Sequence, residues 1–361
     1  LPGVQARLSG KPDSPGLDQT PSPSIFLAAE MSMVKEEDAE FHPRDPKDYD
    51  WAETRFISFS VPEEQLFGNV YVLARPNVGA VISDVTIQKG FSRFPYEMDF
   101  HDPHMHLPCP PSFRKFTLRN GLSVEAVRPP YELHYSYEHN GGNCSFEFDF
   151  TAVGEPFDCH DPNQNPLLGD TTFSGLGDQW LNGHYDVLGH VKGELVLRGK
   201  RYAIDSYDGA DHSWGPRKEE GIRAMGWTAA AFGPDYGLHT VFHLNLKNGQ
   251  VTYDKLRFGY VVDEGQTYGL VSAELTATRI DMIAVSNHIR AVDVRGKVHE
   301  MRGTAIAGHP QYAPRPRHQF PAGDIDAGRR DRHHHRPLPA AEVIGALPGA
   351  EGRAPVPARV P

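Results

Sequence analysis

The sequence has few cysteines and no long hydrophobic run. Among 361 residues there are three cysteines, Cys109, Cys144 and Cys159, and no two of them form a CxxC pair. This excludes a disulfide framework and indicates a reducing, cytoplasmic compartment. The longest apolar run near the start, IFLAA at 25–29, is too short for a signal-peptide core or a membrane span. We therefore expect no transmembrane segment, which leaves peripheral membrane contact open.

Positive charge and nucleotide-binding motifs are also scarce. The chain has 36 Lys and Arg against 47 Asp and Glu, a formal charge of -11, and its central part has no basic tract. A nucleic-acid partner is therefore excluded. No G-x-S-x-G elbow or P-loop occurs, and GLGDQWLNG at 175–183 lacks the strand and helix that a dinucleotide site requires. We expect no cofactor.

A helical period of 3.6 residues is missing, and short alternating runs take its place. Examples are RFISFSV at 55–61, CSFEFDFTAV at 144–153 and GELVLRG at 193–199, and turn signals such as RNG at 119–121 separate such runs. The pattern predicts an all-β chain of more than a dozen strands. So many strands suit one large barrel or two barrel-like halves in tandem.

The two ends of the chain differ from this central part. The first 40 residues begin with a Pro-, Ser- and Gly-rich stretch and are predicted to be a disordered leader. Residues 310–361 are dominated by Arg, Pro, Ala, Gly and His. We interpret them as a disordered or out-of-frame tail, so RRDRHHHR at 329–336 is not taken as a binding site.

The stretch DSYDGADHSWGPR, residues 205–217, carries the densest set of reactive side chains. The preceding VKGELVLRG and KRYAIDSYDG are predicted to form a β-hairpin with a turn at Gly199 and Lys200, followed by a polar loop. Together with YDWAETRFISF and RPNVGAVISDV, this segment resembles the carotenoid 1,2-hydratase (hydroxyneurosporene synthase)-related family. The resemblance covers roughly residues 45–305.

That resemblance implies two lipocalin-like β-barrel halves with an apolar cavity. The halves would span 41–155 and 184–309, joined by a connecting loop at 156–183, and the second half would be incomplete if the tail replaces its last strands. Characterised members add water to isoprenoid double bonds or cyclise polyenes. For this chain the resemblance implies a cofactor-free hydratase, dehydratase or isomerase acting on an isoprenoid, steroid or related lipophilic substrate.

Hydration of an alkene needs a proton donor, a site that stabilises the resulting cation, and a base for the attacking water. Asp211 and His212 are predicted as the catalytic residues, with Asp208 as an alternative acid, because an apolar cavity would keep a carboxyl protonated near neutral pH. The rings of Trp214 and Tyr207 are predicted to line the site and stabilise positive charge.

Arg217 and Trp180, the latter in the connecting loop, complete the predicted substrate site. A structural interpretation of the same motif stays open: Asp211 would cap the turn, Trp214 would plug one end of a barrel and Arg217 would pack over it. The main rival hypothesis for the function is a non-catalytic carrier of a lipophile with the same fold.

A metal-dependent enzyme is the third hypothesis, built on HDPHMHLPCP at 101–110. His101, His104 and His106 could supply ligands for zinc or iron, although no metal is the primary expectation. His239 and His243 lie roughly 13 Å apart on a predicted strand, too far to bind one ion, and are interpreted as cavity or surface residues.

Overall fold

The structure is a computed structural model that describes residues 34–92, 94–168, 182–217, 225–247, 250–280 and 283–308. These residues form antiparallel strands and three short 3-10 helices, Glu36–Ala39, Pro62–Glu64 and Pro95–Glu97, with no α-helix among them. Within those ranges, no helix is long and apolar enough to cross a membrane.

Eleven strands form the first sheet, in the order β4-β3-β2-β1-β11-β10-β8-β7-β6-β5, with the short β9 paired to β10. Their bounds are β1 Trp51–Val61, β2 Leu66–Arg75, β3 Ala80–Lys89, β4 Phe100–Pro108, β5 Lys115–Thr117, β6 Leu122–Arg128, β7 Glu132–Glu138, β8 Cys144–Ala152, β9 Phe157–Asp158, β10 Gly183–Leu197 and β11 Lys200–Pro216.

Six strands form the second sheet as a simple meander from β12 to β17. Their bounds are β12 Met225–Ala231, β13 Tyr236–Lys247, β14 Gln250–Asp263, β15 Gln266–Ile280, β16 Ile283–Asp293 and β17 Val298–Thr304. Both sheets are curled into half-barrels, which confirms the predicted all-β fold of two lipocalin-like halves.

Alternation along the strands builds the core of the first sheet. In β8, Phe146, Phe148 and Phe150 are buried while the residues between them are exposed or partly buried. Strict alternation places every second side chain on the same face. Burying each of these rings stabilises the fold by about 1.5–3 kcal/mol.

The predicted hairpin is present, with two differences. Leu197 pairs with Lys200, so the turn residues are Arg198 and Gly199, one position earlier than predicted. Both have positive φ, 51° and 80°, as a two-residue turn of the type that matches strand twist requires. The segment predicted as a polar loop is instead the continuation of β11, which stays paired until Pro216.

β11 joins segments that are distant in sequence. It pairs with β1 on one side and with β10 on the other, so the strands after the predicted connecting loop are hydrogen-bonded to those before it. The division of the chain into halves at 156–183 remains a prediction. Trp180 and residues 310–361 lie outside the described residues.

Candidate active site between the two sheets

The motif DSYDGADHSWGPR lies on a central strand, so its side chains alternate between two environments. Asp211 stands between Phe56 of β1 and Asp186 of β10, and Phe56 is paired in turn with Tyr71 of β2. These four residues form a cross-strand row on the face of the first sheet that packs against the second sheet. His212, one position along the strand, lies on the opposite face.

Asp186 is the centre of a buried polar network. One carboxylate oxygen lies 2.8 Å from Nε2 of His184, and the other accepts a hydrogen bond of 2.8 Å from Nε1 of Trp227. Nε2 of His239 lies 3.3 Å from the same second oxygen. Trp227 comes from β12 and His239 from β13, so the network connects the two sheets. We call these four residues and Asp211 the inter-sheet cluster.

The network favours a charged pair at its centre. Burial works against the anion, but the adjacent His184 and His239 hold the pKa of the Asp186 carboxyl well below its usual range. Burial likewise works against the cation, but Asp186 raises the pKa of His184 above its ordinary value. Both side chains are almost completely inaccessible to solvent. Both shifts favour the charged forms, an Asp186 carboxylate and a His184 imidazolium held against it.

Asp211 is in a different state from its neighbour. Burial and the negative charge of Asp186 raise the pKa of Asp211 to about 7, although His184 and Arg217 act in the opposite direction. Its side chain is only partly buried, and no described residue forms a hydrogen bond with it. Asp211 is therefore a carboxyl that can gain or lose a proton near neutral pH.

Apolar and aromatic side chains surround the inter-sheet cluster. Phe56, Leu188 and Trp227 are buried there together with Phe258 and Tyr260. Tyr71, Tyr207 and Met225 pack against the same residues but remain partly exposed. The sheets approach closely at Gly209, where a Cβ atom would lie 2.7 Å from Cβ of Ala229 and 2.8 Å from the ring of Trp227.

Arg217 and Tyr207 lie on the Asp211 side of β11. Arg217 donates hydrogen bonds of 2.9 Å to the Tyr71 hydroxyl and 3.1 Å to Oγ of Ser213. The ring of Tyr207 stacks on His190 at a centroid distance of 4.7 Å. Arg217 thus binds polar groups on this face, and Tyr207 and Asp211 share it.

The other predicted residues, Asp208, His212 and Trp214, face the interior of the first sheet. Asp208 accepts hydrogen bonds of 3.1 Å from Ser60 and 2.7 Å from Ser206. Burial raises its pKa to about 6, although the serine hydroxyls oppose this shift. The carboxyl of Asp208 thus has the hydrogen-bond donors that Asp211 lacks among the described residues.

His212 and Trp214 take part in a second buried cluster. Nδ1 of His212 is 2.6 Å from the Thr54 carbonyl oxygen. Burial, with the charge of Arg55, lowers the pKa of His212 well below its usual range. The Trp214 ring stacks on His42 at 3.9 Å and covers Gly183, whose hypothetical Cβ would lie 2.0 Å from it. His212 and Asp211 therefore do not face a common substrate.

Comparison with known proteins identifies the family. A model for a domain of unknown function, DUF7064, matches residues 35–324. The chain belongs to the DUF7064 family. No curated protein matches the sequence significantly.

Solved structures similar to this DUF7064 chain include kievitone hydratase from Nectria haematococca and CghA. The first is 12% identical with a TM-score of 0.40, over 66% of this chain and 72% of that one. CghA is 8% identical with a TM-score of 0.39, over 74% of this chain and 82% of that one. Similarity at this level carries no argument about activity. The relationship to carotenoid 1,2-hydratase suggested by the motif stays a prediction.

Four residues of the inter-sheet cluster were missed as site residues from the sequence: His184, Asp186, Trp227 and His239. One signal was present, because GHYDVLGH places a histidine and an aspartate two positions apart in a strand pattern, and hence on one face. His239 was interpreted as a cavity or surface residue, and it is fully buried. The contacts from β12 and β13 had no local signal, since they depend on how the second sheet packs.

The histidines of the predicted metal alternative are held separately. His101 lies 3.3 Å from Asp84, and His104 lies 2.9 Å from Asp102. His106 is exposed. Within the described part of the chain, these three are not among the groups whose ligand atoms lie within 4.8 Å of one another.

Proposed function

We propose that the inter-sheet cluster is the active site of an enzyme that transfers protons to and from carbon in an apolar substrate. The reaction would be the addition or removal of water, or the migration of a double bond. The observation that carries this proposal is the row formed by Tyr71, Phe56, Asp211 and Asp186. It sets a carboxyl that has no hydrogen-bond partner in the described part of the chain between aromatic side chains and the pair formed by His184 and Asp186.

In this mechanism Asp211 exchanges the proton with the substrate. As an acid it protonates an alkene carbon, and the carboxylate so formed takes the proton that the attacking water releases. As a base it removes a proton next to an activating group and returns it at the new position when a double bond migrates. Asp186 does not exchange protons, because its two oxygens are occupied by His184, His239 and Trp227. It holds the two imidazoles in place, as a buried carboxylate commonly does for a catalytic histidine.

The surrounding side chains suit a lipophilic substrate. The partly exposed rings of Tyr71 and Tyr207 and the side chain of Met225 offer apolar contact area around the inter-sheet cluster. Aromatic faces stabilise a developing carbocation by about 2 kcal/mol when water is excluded. We therefore propose an isoprenoid, steroid or related molecule with a carbon–carbon double bond as substrate, bound along the row.

Deuterium incorporation from heavy water into candidate isoprenoids and steroids tests the proposal, because it reports proton transfer to carbon in either direction of reaction. Asp211→Asn should lower the rate by about 100- to 10,000-fold, the usual contribution of a general acid or base. Asp208→Asn is the matched control, since it changes a buried carboxyl on the same strand but on the opposite face. It should leave the rate within about threefold of the unaltered chain, because Asp208 does not face the proposed substrate.

Two outcomes would contradict the proposal. If Asp208→Asn abolishes incorporation and Asp211→Asn does not, the chemistry lies on the first-sheet face. If lipophiles bind tightly and no candidate exchanges deuterium, the protein is a carrier.

A further inference from the structure

A second buried cluster lies on the opposite face of β11, away from Asp211. It is formed by His42, which precedes β1, by Glu53 of β1 and by His212 of β11. One ligand atom from each lies within 4.8 Å of those of the other two. Glu53 and His212 are fully buried, and the side chain of His42 is 13% exposed.

A hydrogen bond to the backbone fixes the tautomer of His212 and leaves one ring nitrogen able to bind a metal ion. The Thr54 carbonyl oxygen, 2.6 Å from Nδ1, can only accept a hydrogen bond, so Nδ1 carries the proton. The lone pair of the neutral ring is then on Nε2. This nitrogen is buried and makes no hydrogen bond of normal geometry among the described residues, although the Asp38 backbone carbonyl also lies close enough to act on the ring. An Nδ1 proton donated to a carbonyl with Nε2 left to bind is the usual arrangement of a metal-binding histidine.

Glu53 and His42 have supporting contacts of the same kind. One oxygen of Glu53 accepts hydrogen bonds from Nε1 of Trp51 at 3.0 Å and from the His42 backbone N–H at 2.9 Å. The other lies 3.0 Å from Nδ1 of His42. On the far side of the His42 ring, Nε2 is 3.3 Å from Asp38. A carboxylate behind a ligating imidazole orients the ring and increases its basicity.

We propose that His42, Glu53 and His212 bind one divalent transition-metal ion, of which Zn²⁺ is the best match. Two imidazoles and one carboxylate are a common ligand set for zinc and for other first-row divalent metals. The ligand atoms would be Nδ1 of His42, a carboxylate oxygen of Glu53 and Nε2 of His212.

The spacing and charge of the cluster agree with this assignment. Ligands about 2.1 Å from a tetrahedral ion lie about 3.4 Å apart, and ligand atoms within 4.8 Å of one another need to close by at most about 1.4 Å to reach that spacing. Arg55 is paired across the sheet with His212. Its guanidinium donates to the carbonyl oxygens of Ala39 at 2.6 Å and Phe113 at 3.3 Å, so it is engaged outside the ligand set.

The ion would join the segment before β1 to two strands of the first sheet. His42 and Asp38 belong to that segment, whereas Glu53 and His212 belong to β1 and β11. Because the side chains of β11 alternate, the site is on the other face from Asp211 and independent of the proposed function. We assign it a structural role, in which metal binding stabilises the docked segment.

Cobalt titration of chelator-treated full-length protein tests the site, since Co²⁺ bound by imidazole and carboxylate in a low-coordinate site absorbs visible light. The background protein carries alanine at His333, His334 and His335, so that these three histidines cannot bind Co²⁺ and contribute to the spectrum. About one equivalent of Co²⁺ should bind, be displaced by Zn²⁺, and raise the melting temperature.

Variants locate the bound ion. Glu53→Gln and His212→Gln should weaken Co²⁺ binding more than 100-fold, and Asp38→Asn should weaken it about 10- to 100-fold as the loss of a supporting contact. The matched control, alanine at His101, His104 and His106, should not change binding. Circular dichroism checks that each variant folds.

The proposal is overturned if the background protein shows no cobalt spectrum, or if the spectrum survives both Glu53→Gln and His212→Gln. It is also overturned if only the control loses the spectrum, which would move the site to β4. If the ligand variants fail to fold, limited proteolysis of the unaltered chain tests the site instead. Zn²⁺ must then protect residues 34–50 from cleavage, and equal cleavage with and without Zn²⁺ rejects the site.

Discussion

The two faces of β11 each hold an aspartate, Asp208 on one face and Asp211 on the other, and the two carboxyls have different surroundings. Asp208 is hydrogen-bonded by Ser60 and Ser206 inside the first sheet. Asp211 has no such donor among the described residues and faces an ion pair instead. Burial raises the pKa of both groups. The raised pKa alone does not distinguish the two carboxyls; their hydrogen-bond partners and the faces they occupy do.

The largest expected effect comes from removing the carboxylate that joins the sheets. Asp186→Ala leaves the charged His184 and the Trp227 N–H without their partner, which should lower the free energy of unfolding by about 3–5 kcal/mol. Urea denaturation measures this change. The matched control is Asp205→Ala in the same hairpin, which breaks an exposed Asp–His pair with His190 and should cost about 1 kcal/mol or less. Equal losses in both variants would show that the Asp186 network is not a buried charge network.

The next largest expected effect is a pH dependence of stability that comes from Asp208. The folded-state pKa of Asp208 is raised from 3.8 to about 6. Its contribution to stability is therefore fully present below the unfolded pKa and is lost as pH rises through 6. The loss is about 3 kcal/mol at most, at 1.36 kcal/mol per pKa unit.

Urea denaturation of the unaltered chain and of Asp208→Asn between pH 4 and 7 measures that contribution. The difference between the two should shift in favour of Asp208→Asn as pH rises, because an amide has no proton to lose. A difference independent of pH would mean that Asp208 titrates alike in the folded and unfolded chain.

A smaller effect is expected where the sheets are closest. Gly209→Ala places a methyl group against Trp227 and Ala229, which should cost about 1–3 kcal/mol through overpacking and move Trp227 relative to Asp186. Gly303→Ala is the control, since nothing lies within 4 Å of its Cβ, and it should change stability by about 0.5 kcal/mol or less. Thermal denaturation compares the two. An unchanged melting temperature for Gly209→Ala would indicate that the sheets separate there without cost.

The sequence supported the fold better than the site. Alternating runs such as CSFEFDFTAV predicted strands correctly, because side-chain alternation is a local property of each strand. The hairpin of β10 and β11 was also predicted, with its turn displaced by one residue. The stretch from Ala210 to Arg217 is predicted as a polar loop, since its glycine, proline and charges resemble a turn. Pairing on both sides holds it as a strand.

Within the site, the sequence indicates which side chains could do chemistry but not which of them lie together in the structure. Asp211 and His212 are predicted to act together on one substrate, yet adjacent strand residues point to opposite faces. Once β11 is recognised as a strand, Tyr207, Asp211 and Arg217 separate from Asp208, His212 and Trp214 by position alone. The partners of Asp186 from β12 and β13 could not be predicted, because no local pattern specifies which sheet packs on which.

The position of β11 between β1 and β10 has a consequence for how the chain folds. Trp51 is paired with Pro216, so during synthesis β1 has no neighbour on that side until most of the described chain has been made. A strand edge left open that long can pair with other chains, and pairings so distant in sequence form slowly. We expect the yield of folded protein to depend on the rate of elongation across residues 61–216 and on chaperones that shield β1.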